Sequence, residues 1–151
     1  MDTIDQAKAA RVWQRVRGDA APASDTGGLP ELIANEWTDG TTYLMLSRHF
    51  QGKAAQTLQK MYTQEQAHTA CLKGIYTLIT GKPPQVRAPT PKITDPEQTL
   101  RRCYGREMQC LAQYEQRRDD PEYGQVFARL ADQEREHCRM ILELIGSLKK
   151  K

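Results

Sequence analysis

Two of the three histidines in this chain, His68 and His137, each follow a glutamate by three residues, and each Glu-x-x-His pair sits in the middle of a long stretch free of glycine and proline. Such stretches favour helix over sheet. On a helix, residues three apart share a face, so a carboxylate and an imidazole can be sent to the same point. Ten glutamates occupy the 151 positions. Chance would give two of three histidines this neighbour on the order of 1% of the time. The pattern therefore predicts two helices, each carrying one inward Glu-x-x-His.

The rest of the chain supplies two further helices and the breaks between them. Helix 1 is predicted from about Pro30, a favoured first-turn residue, to about Phe50, with Ile33, Glu36, Tyr43 and Ser47 near one line. After a turn at Gly52, helix 2 runs to about Thr80 through Leu58, Met61, Glu65, His68, Leu72 and Ile75 or Tyr76. The segment from Gly81 to Asp95 holds Pro83, Pro84, Pro89 and Pro91 and no helical pattern. Extended, it reaches about 50 Å, enough to travel the length of a bundle. Asp95–Pro96, a cap followed by proline, opens helix 3, which runs to about Arg118. A second such pair, Asp120–Pro121, opens helix 4, which continues to about Leu148 through Phe127, Leu130, Glu134, His137, Ile141 and Leu144. Residues 1–28 read as a short accessory helix, about Thr3 to Arg17, and a linker from Gly18 to Gly28. Residues 29–151 read as the four-helix bundle, giving an all-α chain.

Each of the other two helices offers one more carboxylate, Glu36 and Glu107, and each is followed seven residues later by a tyrosine, Tyr43 and Tyr114. The two halves therefore repeat as Glu36, Tyr43, Glu65, His68 and then Glu107, Tyr114, Glu134, His137. Measured from the hairpin turns, the ligands of each half fall at a common depth of roughly 17–20 Å. Four carboxylates facing one another in a bundle interior would repel, whereas two divalent cations cancel four negative charges. Glu36, Glu65, His68, Glu107, Glu134 and His137 are thus the expected ligands of two metal ions. Mixed carboxylate and imidazole donors suit iron or manganese and also admit zinc. Tyr43 and Tyr114 are candidate donors to a ligand carboxylate, or of a proton or electron to bound oxygen species; the alternative is an aromatic core role. Gly40 either leaves room for a small ligand or allows close packing. His49 lacks a matching glutamate and reads as a capping or surface residue.

Composition removes several classes of function. The net charge of +3 includes Lys149, Lys150 and Lys151, and nothing resembles a basic stripe with interleaved aromatics, so no nucleic-acid binding is expected. No run approaches eighteen apolar residues and the first ten residues are too polar for a secretory signal, so no membrane association is expected and the cytoplasm is the expected location. Cys71, Cys103, Cys110 and Cys138 form no Cys-x-x-Cys pair, which argues against a zinc knot and for free thiols. Cys103 and Cys110 flank Glu107 on one helix face.

Two tight hairpins joined by one long crossover are the connectivity of ferritin-like bundles. Together with the fourfold ligand pattern, over about Pro30 to Leu148, the chain resembles the ferritin-like di-iron carboxylate proteins, in particular the rubrerythrin-like branch. The resemblance implies bridging roles for Glu65 and Glu134, terminal carboxylates at Glu36 and Glu107, and terminal imidazoles at His68 and His137. It also implies two iron ions and reduction of hydrogen peroxide. Dioxygen activation, as an oxygenase or ferroxidase, would use the same ligands, and iron storage or metal handling is a further alternative. Two departures stand out: rubrerythrins usually carry another glutamate where this chain has Cys110, and often a rubredoxin domain whose cysteine pairs are absent here. Electrons are therefore expected from a separate donor protein, and a homodimer is the expected assembly.

Overall fold

The computed structural model describes residues 26–148, and the expected accessory helix and most of the expected linker lie outside them. Four helices follow one another: α1 Leu29–Ser47, α2 Gly52–Thr80, α3 Pro96–Glu115 and α4 Gly124–Leu148. The described residues contain no strand. None of these helices is long and apolar enough to cross a membrane.

Local chemistry sets most of the helix ends. Pro30 stands in the first turn of α1, with the acidic Glu31 beside it at the positive end of the helix dipole. Gly81, at φ 72°, takes the left-handed conformation that ends α2, and its N–H bonds to the Thr77 carbonyl. The Asp95 carboxylate accepts the Gln98 N–H at 3.0 Å and Pro96 follows, as the cap-and-proline pattern predicted.

The second such pair behaves differently. Asp120 accepts the N–H groups of Glu122 and Tyr123 at 2.9 and 2.8 Å, which closes a turn, and α4 begins only at Gly124. Helix α3 likewise stops at Glu115, before the expected Arg118. The Arg118 carbonyl oxygen comes so near Gly124 that a Cβ there would lie 2.3 Å from it. The sharp return of the chain at this point consumes residues that the sequence pattern assigns to helix.

Helices α1 and α2 pack closely as one hairpin and α3 and α4 as the other, and the hairpins meet along α1/α3 and α2/α4. Apolar residues gather in two layers. One contains Leu32, Ile33, Leu72, Ile75, Phe127 and Leu130; the other contains Leu46, Leu58, Met61, Leu100, Ile141 and Leu144. Because α2 ends at the first layer and α3 begins at the second, the segment from Gly81 to Asp95 must run the length of the bundle. The result is an all-α, ferritin-like four-helix bundle with a polar level between two apolar ones.

Candidate metal centre

All six expected ligands converge on that polar level. Glu36 comes from α1, Glu65 and His68 from α2, Glu107 from α3, and Glu134 and His137 from α4, each at most 2% exposed. Donor atoms of Glu36, Glu65, His68 and Glu134 lie within 4.8 Å of one another, and so do those of Glu65, Glu107, Glu134 and His137. Glu65 and Glu134 belong to both groups. They occupy the shared middle, with Glu36 and His68 on one side and Glu107 and His137 on the other.

The imidazoles turn the same atom inward. His68 Nδ1 lies 2.9 Å from Glu134, 3.1 Å from Glu36 and 3.2 Å from Glu65. His137 Nδ1 lies 2.7 Å from Glu65 and 3.5 Å from Glu107. The rings stack with centroids 5.6 Å apart.

The tyrosines cross between hairpins. Tyr43 on α1 donates its hydroxyl hydrogen bond to Glu107 on α3, and Tyr114 on α3 donates to Glu36 on α1. Each therefore holds the buried glutamate of the facing helix, because a residue seven further along its own helix is about 10 Å away from its own glutamate. Both rings are fully buried, so the hydroxyl and core roles coincide. Burial, then the negative charge of Glu107 at Tyr43 and of Glu36 at Tyr114, pushes both phenols well above their usual range.

Electrostatics separates the two kinds of glutamate. Burial, reinforced by the charge of Glu36, pushes the carboxyls of Glu65 and Glu134 well up. Burial acts the same way on Glu36 and Glu107, but their close polar neighbours outweigh it and hold both below the usual range: Glu65, His68 and Tyr114 act on Glu36, and Glu134, His137 and Tyr43 on Glu107. Burial disfavours the charged imidazole of His68, yet Glu134, Glu36 and Glu65 raise it overall.

The cluster is poorly satisfied by the protein alone. Both oxygens of Glu65, Oε1 of Glu134 and Nδ1 of His137 are buried without a partner in hydrogen-bond geometry, close as they stand to one another. Unpaired buried polar atoms are costly, and these belong to the residues shared by, or flanking, both donor groups. Two divalent cations would satisfy them and cancel the four carboxylate charges, so the residues fit a two-metal site.

Residues 29–145 match the rubrerythrin family model. The chain belongs to the rubrerythrin family. No curated protein matches it. Within this rubrerythrin domain, Cys110 is buried beside Tyr114 and Leu72, and burial together with the charges of Glu36 and Asp39 pushes its thiol up. Cys103 is also raised, by burial first and then by the charges of Asp39 and Glu107. All four cysteines are free. His49 is exposed in the turn after α1, in keeping with a surface role. Gly40 packs against the partner helix, where a Cβ would lie 2.9 Å from the Cβ of Glu65.

Three polar features escape the sequence reading. Asp39 is buried and paired with Arg106, and burial, opposed by Arg106, pushes its carboxyl up to about 7. Gln133 and Gln64 reach His68 and His137. The glutamines had a visible signal, since a glutamine directly precedes the glutamate of both Glu-x-x-His motifs. Asp39 and Arg106 carry no such repeat.

Proposed function

We propose that this chain is a non-haem di-iron redox protein that reduces hydrogen peroxide to water with electrons from a separate donor protein. The observation that carries the reading is the pair of buried donor groups sharing Glu65 and Glu134 in a rubrerythrin-family bundle. Glu36 and His68 would hold one metal and Glu107 and His137 the other, with Glu65 and Glu134 common to both. Iron, when bound, supplies the two electrons that split the O–O bond, which with two protons gives two waters.

The chain's own residues set the conditions for that reaction. Tyr43 and Tyr114 orient the two terminal carboxylates. The apolar layers on either side exclude bulk water from the cluster. A cavity of about 270 Å³ opens beside Glu36 between α1 and α2, lined by Trp37, Gly40, Tyr62, Gln66 and Thr69 among others. Organic ligands usually occupy about 300–1,000 Å³ of mostly apolar space, so this smaller cavity of mixed polarity favours a small polar oxidant over an apolar substrate.

Anaerobic purification with quantitative metal analysis, followed by stopped-flow mixing of the reduced protein with peroxide or dioxygen, tests the reading. Two irons per chain and faster oxidation by peroxide are expected. Faster oxidation by dioxygen would turn the assignment to an oxygenase or ferroxidase. Glu65→Ala and Glu134→Ala are each expected to lose at least one metal per chain by the same analysis. Full stoichiometry in both would remove the shared role of these residues.

A further inference from the structure

A histidine that gives one ring nitrogen to a metal is aimed by what its other nitrogen meets. In this bundle the two inward atoms are Nδ1, so the question falls on Nε2. His68 Nε2 lies 2.5 Å from Oε1 of Gln133, and His137 Nε2 lies 2.9 Å from Oε1 of Gln64. Gln133 stands on α4 and His68 on α2, while Gln64 stands on α2 and His137 on α4. Each hairpin therefore supplies the amide that meets the other hairpin's imidazole.

The chemistry of the amide makes this more than a contact. Its oxygen can only accept, so it fixes the hydrogen on Nε2 and leaves the Nδ1 lone pair facing the carboxylate cluster. Rotated the other way, the amide would offer N–H groups to Nε2 and drive the hydrogen onto Nδ1, the wrong tautomer for ligation. Placement adds to this. Each glutamine immediately precedes a shared glutamate, Glu65 or Glu134, so one turn of helix carries both a group common to the two metals and the group that aims the opposite histidine. Gln64 is partly buried and Gln133 exposed, which sets them at the outer edge of the cluster, between the imidazoles and solvent.

We infer that Gln64 and Gln133 are positioning residues of the metal centre, each holding the ligand histidine of the opposite hairpin in the Nε2–H tautomer through its side-chain carbonyl. The inference rests on the reading of His68 and His137 as ligands. A neutral acceptor also has an electronic consequence. A carboxylate at the same place would pull on the Nε2 proton and make the imidazole a stronger donor to the metal, whereas an amide leaves it close to a plain neutral imidazole.

Zinc, which is diamagnetic, allows the test without turnover. The full chain loaded with zinc is titrated against a competing chelator, and the imidazole tautomers are read from long-range proton–nitrogen NMR spectra. Wild-type protein is expected to take two zinc ions, with both histidines as slowly exchanging Nε2–H tautomers. Gln133→Leu is expected to weaken one site by roughly 10–100-fold and to speed exchange of the His68 Nε2–H while leaving that of His137 slow. Gln64→Leu should give the mirror result. Gln133→Glu and Gln64→Glu, which keep an acceptor, should restore slow exchange, a rescue that a purely packing role would not produce. Wild-type affinity and unchanged tautomers in both leucine variants would overturn the assignment of the glutamines while leaving the two-metal site standing. Failure of the wild type to take up two zinc ions would overturn the ligand reading and this inference together.

Discussion

At position 40 a single methyl group separates a close helix pair from a strained one. Alanine there would set its Cβ 2.9 Å from the Cβ of Glu65, an atom fixed by the backbone of α2. Gly40→Ala is therefore expected to cost about 1–3 kcal/mol of stability and to weaken metal binding as Glu65 shifts, read by denaturant melts and by metal analysis. The tyrosines allow a gentler change. Tyr43→Phe or Tyr114→Phe keeps the ring but strips a hydrogen bond from a buried carboxylate, at about 1–3 kcal/mol, and the double variant should be weaker than either single one in chelator competition. The convergence of the six cluster residues and the inward placement of both tyrosines were legible in the sequence because helical spacing fixes which residues share a face. The partner of each tyrosine was not, because it depends on how α1 and α3 are staggered. Asp39 and Arg106 were invisible for a related reason: a charged residue on a helix normally faces water, and only tertiary packing turns Asp39 inward.

Helices and turns were readable to different degrees. Where one residue both caps and is followed by proline, as at Asp95–Pro96, the local signal and the structure agree. Asp95→Ala is expected to lower stability by roughly 0.5–2 kcal/mol in a thermal or denaturant melt, without changing metal stoichiometry. Asp120–Pro121 carries the same letters, yet its carboxylate closes a turn instead. The difference lies in the return of the chain past Arg118 onto Gly124, a contact between backbone atoms that no side-chain pattern reports. The inward line of α4 shows the opposite case. Phe127, Leu130, Glu134, His137, Ile141 and Leu144 are all buried as read from periodicity, since nothing along that helix interrupts the period.

Over the whole molecule the cluster is both a candidate site and a seam between hairpins, so protons and metals compete for the fold. Without metal, the raised carboxyls of Glu65, Glu134 and Asp39 and the raised imidazole of His68 let the folded chain hold protons that the unfolded chain gives up. That stability is present at low pH and is lost as pH rises through the folded values. Glu36 and Glu107, held low, act oppositely, but only in the acid range below the usual carboxylate value. From about pH 5 to pH 8 the melting temperature of chelator-treated protein should therefore fall. Metals displace the same protons, so the stabilisation on adding metal should grow over that range, and melts recorded with and without chelator decide the matter. A rise with pH in the metal-free protein would contradict these assignments.

Each hairpin contributes one glutamate from its first helix, one tyrosine and one Gln-Glu-x-x-His, and the tyrosine and glutamine links between hairpins each have a reversed counterpart, whereas the Asp39–Arg106 pair has none. The bundle is thus close to a dimer of a single helical hairpin written twice into one chain. The segment from Gly81 to Asp95 gives no donor to the cluster; as a tether it keeps one hairpin at high effective concentration beside the other. Severing it would alter how tightly the halves associate, while leaving each half with its full share of the cluster's side chains.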